Sequence, residues 1–194
     1  MNEYEKHENL ENLFLNNELI DKKDWILCIN FSDETSLFRL GEKIGDGGKV
    51  LVTRKGKIKE LKKKLFDFGF LKRVIPIKES SIEKLPSNVF TKIVWVSPDI
   101  RKERNITRLS LSYRLLKEDG KLYLLFDKEM KLLNEFIVKL LKKADVMATV
   151  GLLEKVGFKP PFYEKVFVGK NISSYVVIAK RIEDFFSPFD TIKP

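Results

Sequence analysis

Few side chains in this 194-residue chain stand at spacings that could do chemistry. The one cysteine, Cys28, and the one histidine, His7, lie far apart in sequence, so they suggest neither a zinc site nor a Cys-His nucleophile. Cys28 falls in the apolar run Trp25-Ile26-Leu27-Cys28-Ile29, where a thiol serves as a small core residue, and a single cysteine excludes an intramolecular disulfide. His7 reads as a solvated residue of an N-terminal helix. Two polar segments follow apolar runs, the position at which ligands of open α/β sheets bind. They are Asn30-Phe31-Ser32-Asp33-Glu34 and Ser97-Pro98-Asp99. A first strand-to-helix turn holds a nucleotide-like ligand when glycines let it approach the backbone and the helix N-terminus stays open. Here the first glycine is Gly41, too late to serve. Ser97-Pro98-Asp99 reads as a strand end stopped by proline, with Asp99 in a turn. No side chain stands out as a catalytic acid, base or nucleophile, and no metal-ligand set is visible.

The elements that would position these segments follow from periodicity. Residues Glu3 to Leu19 place Leu10, Leu13, Phe14 and Asn17 at helical spacing, with Glu5, Glu8 and Glu11 on other faces. Short apolar runs predict strands at Asp24 to Asn30, Lys49 to Thr53, Arg73 to Ile77, Lys92 to Ser97 and Leu122 to Phe126. Between them, Ser32 or Asp33 caps a helix carrying Leu37, Leu40 and Ile44, which Gly45, Gly47 and Gly48 end. A helix over Gly56 to Phe68 has Ile58, Leu61, Leu65 and Phe68 on one face, and Ser80 to Leu85 is a short turn or helix. A further helix over Ile106 to Lys117 leads into the turn Glu118-Asp119-Gly120. Helices over Glu129 to Lys143 and Val146 to Val156 follow, the second closed by Gly157. Phe162 to Val168 and Ser174 to Ala179 form a hairpin. Strands alternating with helices predict a mostly parallel sheet, and the closing hairpin an antiparallel edge.

Composition bounds the remainder. The hydrophobic content of 43% suits one substantial core, and no apolar run reaches the ~18 residues of a membrane span. The acidic N-terminus does not look like a targeting peptide, so a soluble cytoplasmic protein is expected. Charged residues make up 34% of the chain and glutamine is absent, a tendency of thermophile proteins. The formal charge of +9 fits an acidic partner, either nucleic acid or an acidic protein, or serves solubility alone. That charge is uneven. Residues 54–64 carry Arg54, Lys55, Lys57, Lys59, Lys62, Lys63 and Lys64 against Glu60 alone. Lysines projecting from this helix, with Arg101, Lys102, Arg104 and Arg108 after the fourth strand, form a candidate phosphate-binding surface; an ordinary solvated face is the alternative. No aromatic platform is visible among these lysines, so weak sequence specificity is expected. In the tail, Ile182, Phe185 and Phe186 resemble the apolar plug of peptides that bind the sliding clamp of DNA replication, without the leading glutamine.

The order of elements resembles the class I S-adenosylmethionine-dependent methyltransferases, whose last strand inserts antiparallel. Tyr113-Arg114-Leu115-Leu116-Lys117-Glu118-Asp119-Gly120-Lys121-Leu122-Tyr123-Leu124 is similar to that family's passage into its fifth strand, and Leu152-Leu153-Glu154-Lys155-Val156-Gly157-Phe158 to the helix before its sixth. Glu79, ahead of Ile82-Glu83-Lys84-Leu85-Pro86, stands where the family often has an acid near the adenine. The resemblance implies a three-layer α/β sandwich around a mostly parallel, doubly wound, seven-stranded sheet with an antiparallel C-terminal hairpin. Residues 1–24 would be a helical appendage, 25–181 the domain and 182–194 a tail. Two departures bear on the cofactor. The glycine-rich first loop is replaced by Asn30 to Glu34, and the acid that accepts hydrogen bonds from the ribose is replaced by Thr53-Arg54-Lys55. Two functions are consistent with this. One is a degenerate domain without cofactor, binding nucleic acid or protein. The other is an active methyltransferase holding S-adenosylmethionine at Asn30, Phe31, Ser32, Asp33, Glu79 and Ser97.

Overall fold

The structure is a computed structural model, and it describes residues 10–53, 58–98, 103–126, 147–160, 163–168 and 173–182. Chain order gives α1 (Leu10–Asn17), β1 (Trp25–Ile29), α2 (Glu34–Ile44), β2 (Lys49–Thr53), α3 (Ile58–Asp67) and β3 (Val74–Ile77). A 3-10 turn (Glu79–Lys84) precedes β4 (Phe90–Val96), α4 (Glu103–Leu115) and β5 (Leu116–Phe126). Helical residues 147–155, here α5, come before β6 (Tyr163–Val168) and β7 (Ser173–Lys180). The seven strands form one sheet in the order β3-β2-β1-β4-β5-β7-β6. All neighbours are parallel except β7, which runs antiparallel to both β5 and β6.

Alternation along the central strands divides the core between the two faces of the sheet. Ile26, Cys28, Val50, Val52, Val94, Tyr123 and Leu125 point to one side, where they pack with Leu10 and Phe14 of α1, Leu37 and Leu40 of α2, and Leu61 and Leu65 of α3. Leu27, Ile29, Ile93, Trp95, Leu122 and Leu124 point to the other and meet Ile82, Leu109 of α4, and Leu153 of α5. Both faces are therefore covered, which is why β1 and β2 read as unbroken apolar runs. The result is the three-layer, doubly wound sheet with an antiparallel C-terminal pair. The expected helix over Glu129 to Lys143 lies outside the described residues.

Three local expectations need correction. Helix α4 stops at Leu115 rather than Lys117, and β5 begins at once, so Glu118-Asp119-Gly120 is a bulge inside the strand and not a turn before it. Pairing of β4 with β5 slips between Phe90 and Lys92 to absorb the extra residues. Gly120 is needed there because a Cβ would lie 2.8 Å from the Lys117 carbonyl oxygen and 3.1 Å from that of Phe90. The bulge is pinned from the far side, where the Asp119 N–H donates to Arg181 O and the Arg181 N–H to Gly120 O, each at 2.9 Å. Second, Phe68 does not join Leu61 and Leu65. It is 67% exposed, since α3 ends at Asp67 and Gly69, at φ +74°, turns the chain away. Third, Glu11, expected on another face of the helix than Leu10 and Phe14, is itself buried.

Candidate functional site

The carboxyl ends of the strands carry the expected site, and the strand order reverses between β1 and β4, the position at which such sheets bind ligands. Asn30 leaves β1 at φ +60°, a left-handed conformation that glycine usually supplies. Its backbone N–H donates to Thr53 Oγ1 at the end of β2 (3.3 Å), and its side-chain amide donates to the Val96 carbonyl at the end of β4 (3.4 Å). One residue thus spans the reversal point and ties three strand ends together. Phe31 follows with its ring fully buried in the α1-side core.

Ser32 and Asp33 open α2. Asp33 is the N-cap, its Oδ2 accepting from Ser36 N at 2.7 Å. The Ser32 N–H and hydroxyl both donate to Oε1 of Glu11, at 3.0 and 3.1 Å. Glu11 is only 3% exposed, so a carboxylate from α1 lies against the first turn of the fold. Further bonds hold α1 along α2. Arg39 donates to Asn12 Oδ1 (2.6 Å) and Asn16 Oδ1 (2.8 Å), and Lys43 Nζ to Leu15 O (2.8 Å). Beneath this contact, burial and then the nearby Glu11 charge push the Cys28 thiol far above its ordinary value, so Cys28 is an inert core residue.

The other expected site residues are also placed. Ser97 ends β4 at φ +47° with an exposed side chain, and its N–H donates to Leu125 O at 2.8 Å. Glu79, at the start of the 3-10 turn, is ion-paired with Arg108 of α4. Burial pulls the Arg108 guanidinium below its ordinary value, and it stands 5.8 Å from the centre of the Trp95 ring. The Glu79 carboxylate is therefore engaged within the protein. Among the described residues, no group of three or more His, Cys, Asp or Glu side chains could hold a metal ion.

On the lysine-rich helix, Lys59, Lys62 and Lys63 are exposed on α3, while Lys64 turns to Glu34 at 2.6 Å. Arg104 lies in the first turn of α4. Arg54, Lys55, Arg101, Phe185 and Phe186 lie outside the described residues, as does His7, and Ile182 is half-buried just past β7. Sequence reasoning missed two participants. Glu11 shares a helix with Leu10, Phe14 and Leu15, but nothing in its spacing names Ser32 as its partner. Phe66, 71% exposed, stands among the lysines of α3, which the sequence alone reads as a face without an aromatic.

No protein-family description matches this sequence, and no curated protein is similar to it at a significant level. Solved structures are similar. An S-adenosylmethionine-dependent methyltransferase from Aquifex aeolicus superposes with a TM-score of 0.62 at 19% identity, covering 90% of each chain. An S-adenosylmethionine-dependent O-methyltransferase from Thermotoga maritima gives 0.56 at 13% identity, over 90% of this chain and 72% of that one. The [4+2]-cyclase SpnF gives 0.67 at 9% identity, over 89% and 80%. Such identities speak to architecture alone. The chain has the fold of the class I S-adenosylmethionine-dependent methyltransferases.

Proposed function

We propose that this chain uses the methyltransferase fold as a scaffold without S-adenosylmethionine or methyl transfer, and binds nucleic acid through the lysine face of α3. The observation that carries the first half is the Glu11 carboxylate on the Ser32 amide and hydroxyl, beside a fully buried Phe31. A cofactor's own carboxylate approaching this turn would meet a like charge, no free Ser32 donor and an aromatic ring in place of glycines. Asn30, whose side chain crosses from β1 to β4, further narrows the crevice at the reversal point. At the second strand, Thr53 gives its hydroxyl oxygen to Asn30 and is followed by Arg54, so no acid stands ready for a ribose. The residues of this chain do not fit the cofactor.

The second half rests on charge. Lys59, Lys62 and Lys63 share an exposed helix face, and no ion pair holds them among the described residues. Phosphates bound there release counterions, so affinity falls steeply with salt. Calorimetric titration with S-adenosylmethionine and S-adenosylhomocysteine, run beside salt-dependent oligonucleotide binding, tests both halves. The reading predicts no heat with either ligand, and oligonucleotide binding that is lost when Lys59, Lys62 and Lys63 are changed together to Glu. Saturable cofactor binding at roughly 100 micromolar or tighter, about −5.5 kcal/mol, would instead support an active methyltransferase with an atypical loop. That second reading would carry over the activity named for the Aquifex aeolicus protein that shares the fold.

A further inference from the structure

The outer surface of α3 is divided by charge. At 3.6 residues per turn, successive residues stand about 100° apart. Leu61 and Leu65 point to the core. On the exposed side, Lys62, Phe66, Lys59 and Lys63 occupy one continuous arc of about 100°. Glu60 and Asp67 fall in the next arc, and Lys64 beyond them turns to Glu34. Phe66 therefore projects between lysines. Phe68, nearly as exposed, packs edge-on against Phe38 at 5.2 Å, whereas Phe66 meets no other ring among the described residues. A bare phenyl face set among three exposed lysines combines a stacking surface with positive charge, which suits a partner that is both anionic and flat.

We infer that Phe66, flanked by Lys59, Lys62 and Lys63, forms a stacking site for single-stranded nucleic acid; this rests on the lysine-face reading above. The lysines alone would suit any polyanion. The ring selects among them, because a duplex keeps its base faces stacked inside, while a single strand can lay one on the exposed phenyl group. Lys59 and Lys63 are separated by about 6 Å of helix rise, close to two base rises of about 3.4 Å, so phosphates on either side of a stacked base come within their reach. An anionic bilayer would also attract lysines beside an aromatic residue, but stable surface binding needs a broad apolar face, and this arc carries a single ring.

The test is fluorescence anisotropy of the full chain with labelled single strands of about 12 nucleotides, DNA and RNA, and a duplex of the same length. Sedimentation with phosphatidylserine-containing vesicles runs alongside. Single strands should bind more tightly than the duplex. Phe66→Ala should weaken single-strand binding about 10-fold, leave duplex binding within about 2-fold, and leave the salt slope unchanged. Phe66→Trp should restore binding. Because Phe66 is exposed, melting of each variant should match the parent. Equal losses for single strand and duplex, no loss on Phe66→Ala, or binding to vesicles without binding to oligonucleotides would each overturn the inference. If the triple Lys→Glu variant loses binding and Phe66→Ala does not, the lysine face stands and the stacking site falls. If neither change matters, both fall.

Discussion

Removing the Glu11 carboxylate should loosen the first turn by an amount the structure fixes. Glu11 accepts two hydrogen bonds from Ser32 through one oxygen, and hydrogen bonds to a charged group contribute about 1.5–3 kcal/mol each when buried. Ser32 is exposed, so water partly replaces the lost acceptor and each bond is worth nearer 1 kcal/mol. Glu11→Ala should then cost about 2 kcal/mol, a fall in Tm of about 4–8 °C for a chain of this size. Ser32→Ala removes only the hydroxyl bond and should cost about 1 kcal/mol. The hydroxyl bond is counted in both single variants, so the double variant should be more stable than their sum predicts by about 1 kcal/mol. Denaturant unfolding of all four proteins at constant m-value measures this directly. Additivity to within about 0.3–0.5 kcal/mol would mean that the Ser32 hydroxyl does not bond Glu11. If Glu11→Ala also costs less than about 0.5 kcal/mol, the amide bond goes with it and the case for a turn filled by the protein's own carboxylate is lost.

Two further changes probe the same sheet from other directions. Asn30→Ala should destabilise by about 2–3 kcal/mol, since alanine incurs about 1–2 kcal/mol of left-handed strain that asparagine largely escapes and the amide bond to Val96 is lost, whereas Asn30→Gly should cost about 1 kcal/mol. Equal midpoints for the two in guanidinium would contradict the φ of +60°. At the amino ends of the central strands, Asp24 is buried against Lys92 and Thr91. Burial alone would raise its carboxyl, but the hydrogen bonds from Lys92, Thr91 and the Asp21 amide, with the Lys92 charge, outweigh that and hold it below its ordinary value. A depressed carboxyl contributes stability that is present above its unfolded value, about 3.9, and is lost as pH falls through the folded one. Stability of the parent should therefore fall faster than that of Asp24→Asn below about pH 4, and parallel pH curves would refute the assignment. At neutral pH the same variant should cost up to about 3 kcal/mol, because Lys92, only partly exposed, loses its carboxylate partner.

The layers were legible because local and tertiary requirements coincide. Strands β1 and β2, covered on both faces, have to be short unbroken apolar runs, and Asp33 has to follow β1 as a cap. The bulge in β5 was not legible. Leu116-Lys117-Glu118-Asp119-Gly120 reads equally well as a helix end and a turn, and only pairing with β4 and the contact with Arg181 decide for a strand. Phe68 looked like a core residue from its period, but the helix ended one residue too soon. At the site, the lack of glycine between Asn30 and Glu34 was visible in the sequence. What occupies the turn was not, since Glu11 reaches Ser32 from another helix and no period connects them.

The order β5-β7-β6 has a consequence for how the molecule is made. Strand β6 has β7 as its sheet partner, and β7 is the last of the seven to leave the ribosome. While the chain between Phe126 and Lys180 is being synthesised, an interval of about 3–11 s at 5–20 residues per second, β5 offers Leu122-Tyr123-Leu124-Leu125-Phe126 as an unpaired edge. Such an edge can pair with another nascent chain, and five apolar residues with no proline or charge do nothing to discourage it. Arrival of β7 ends the hazard, and a nascent chain stalled before Ser173 would retain it.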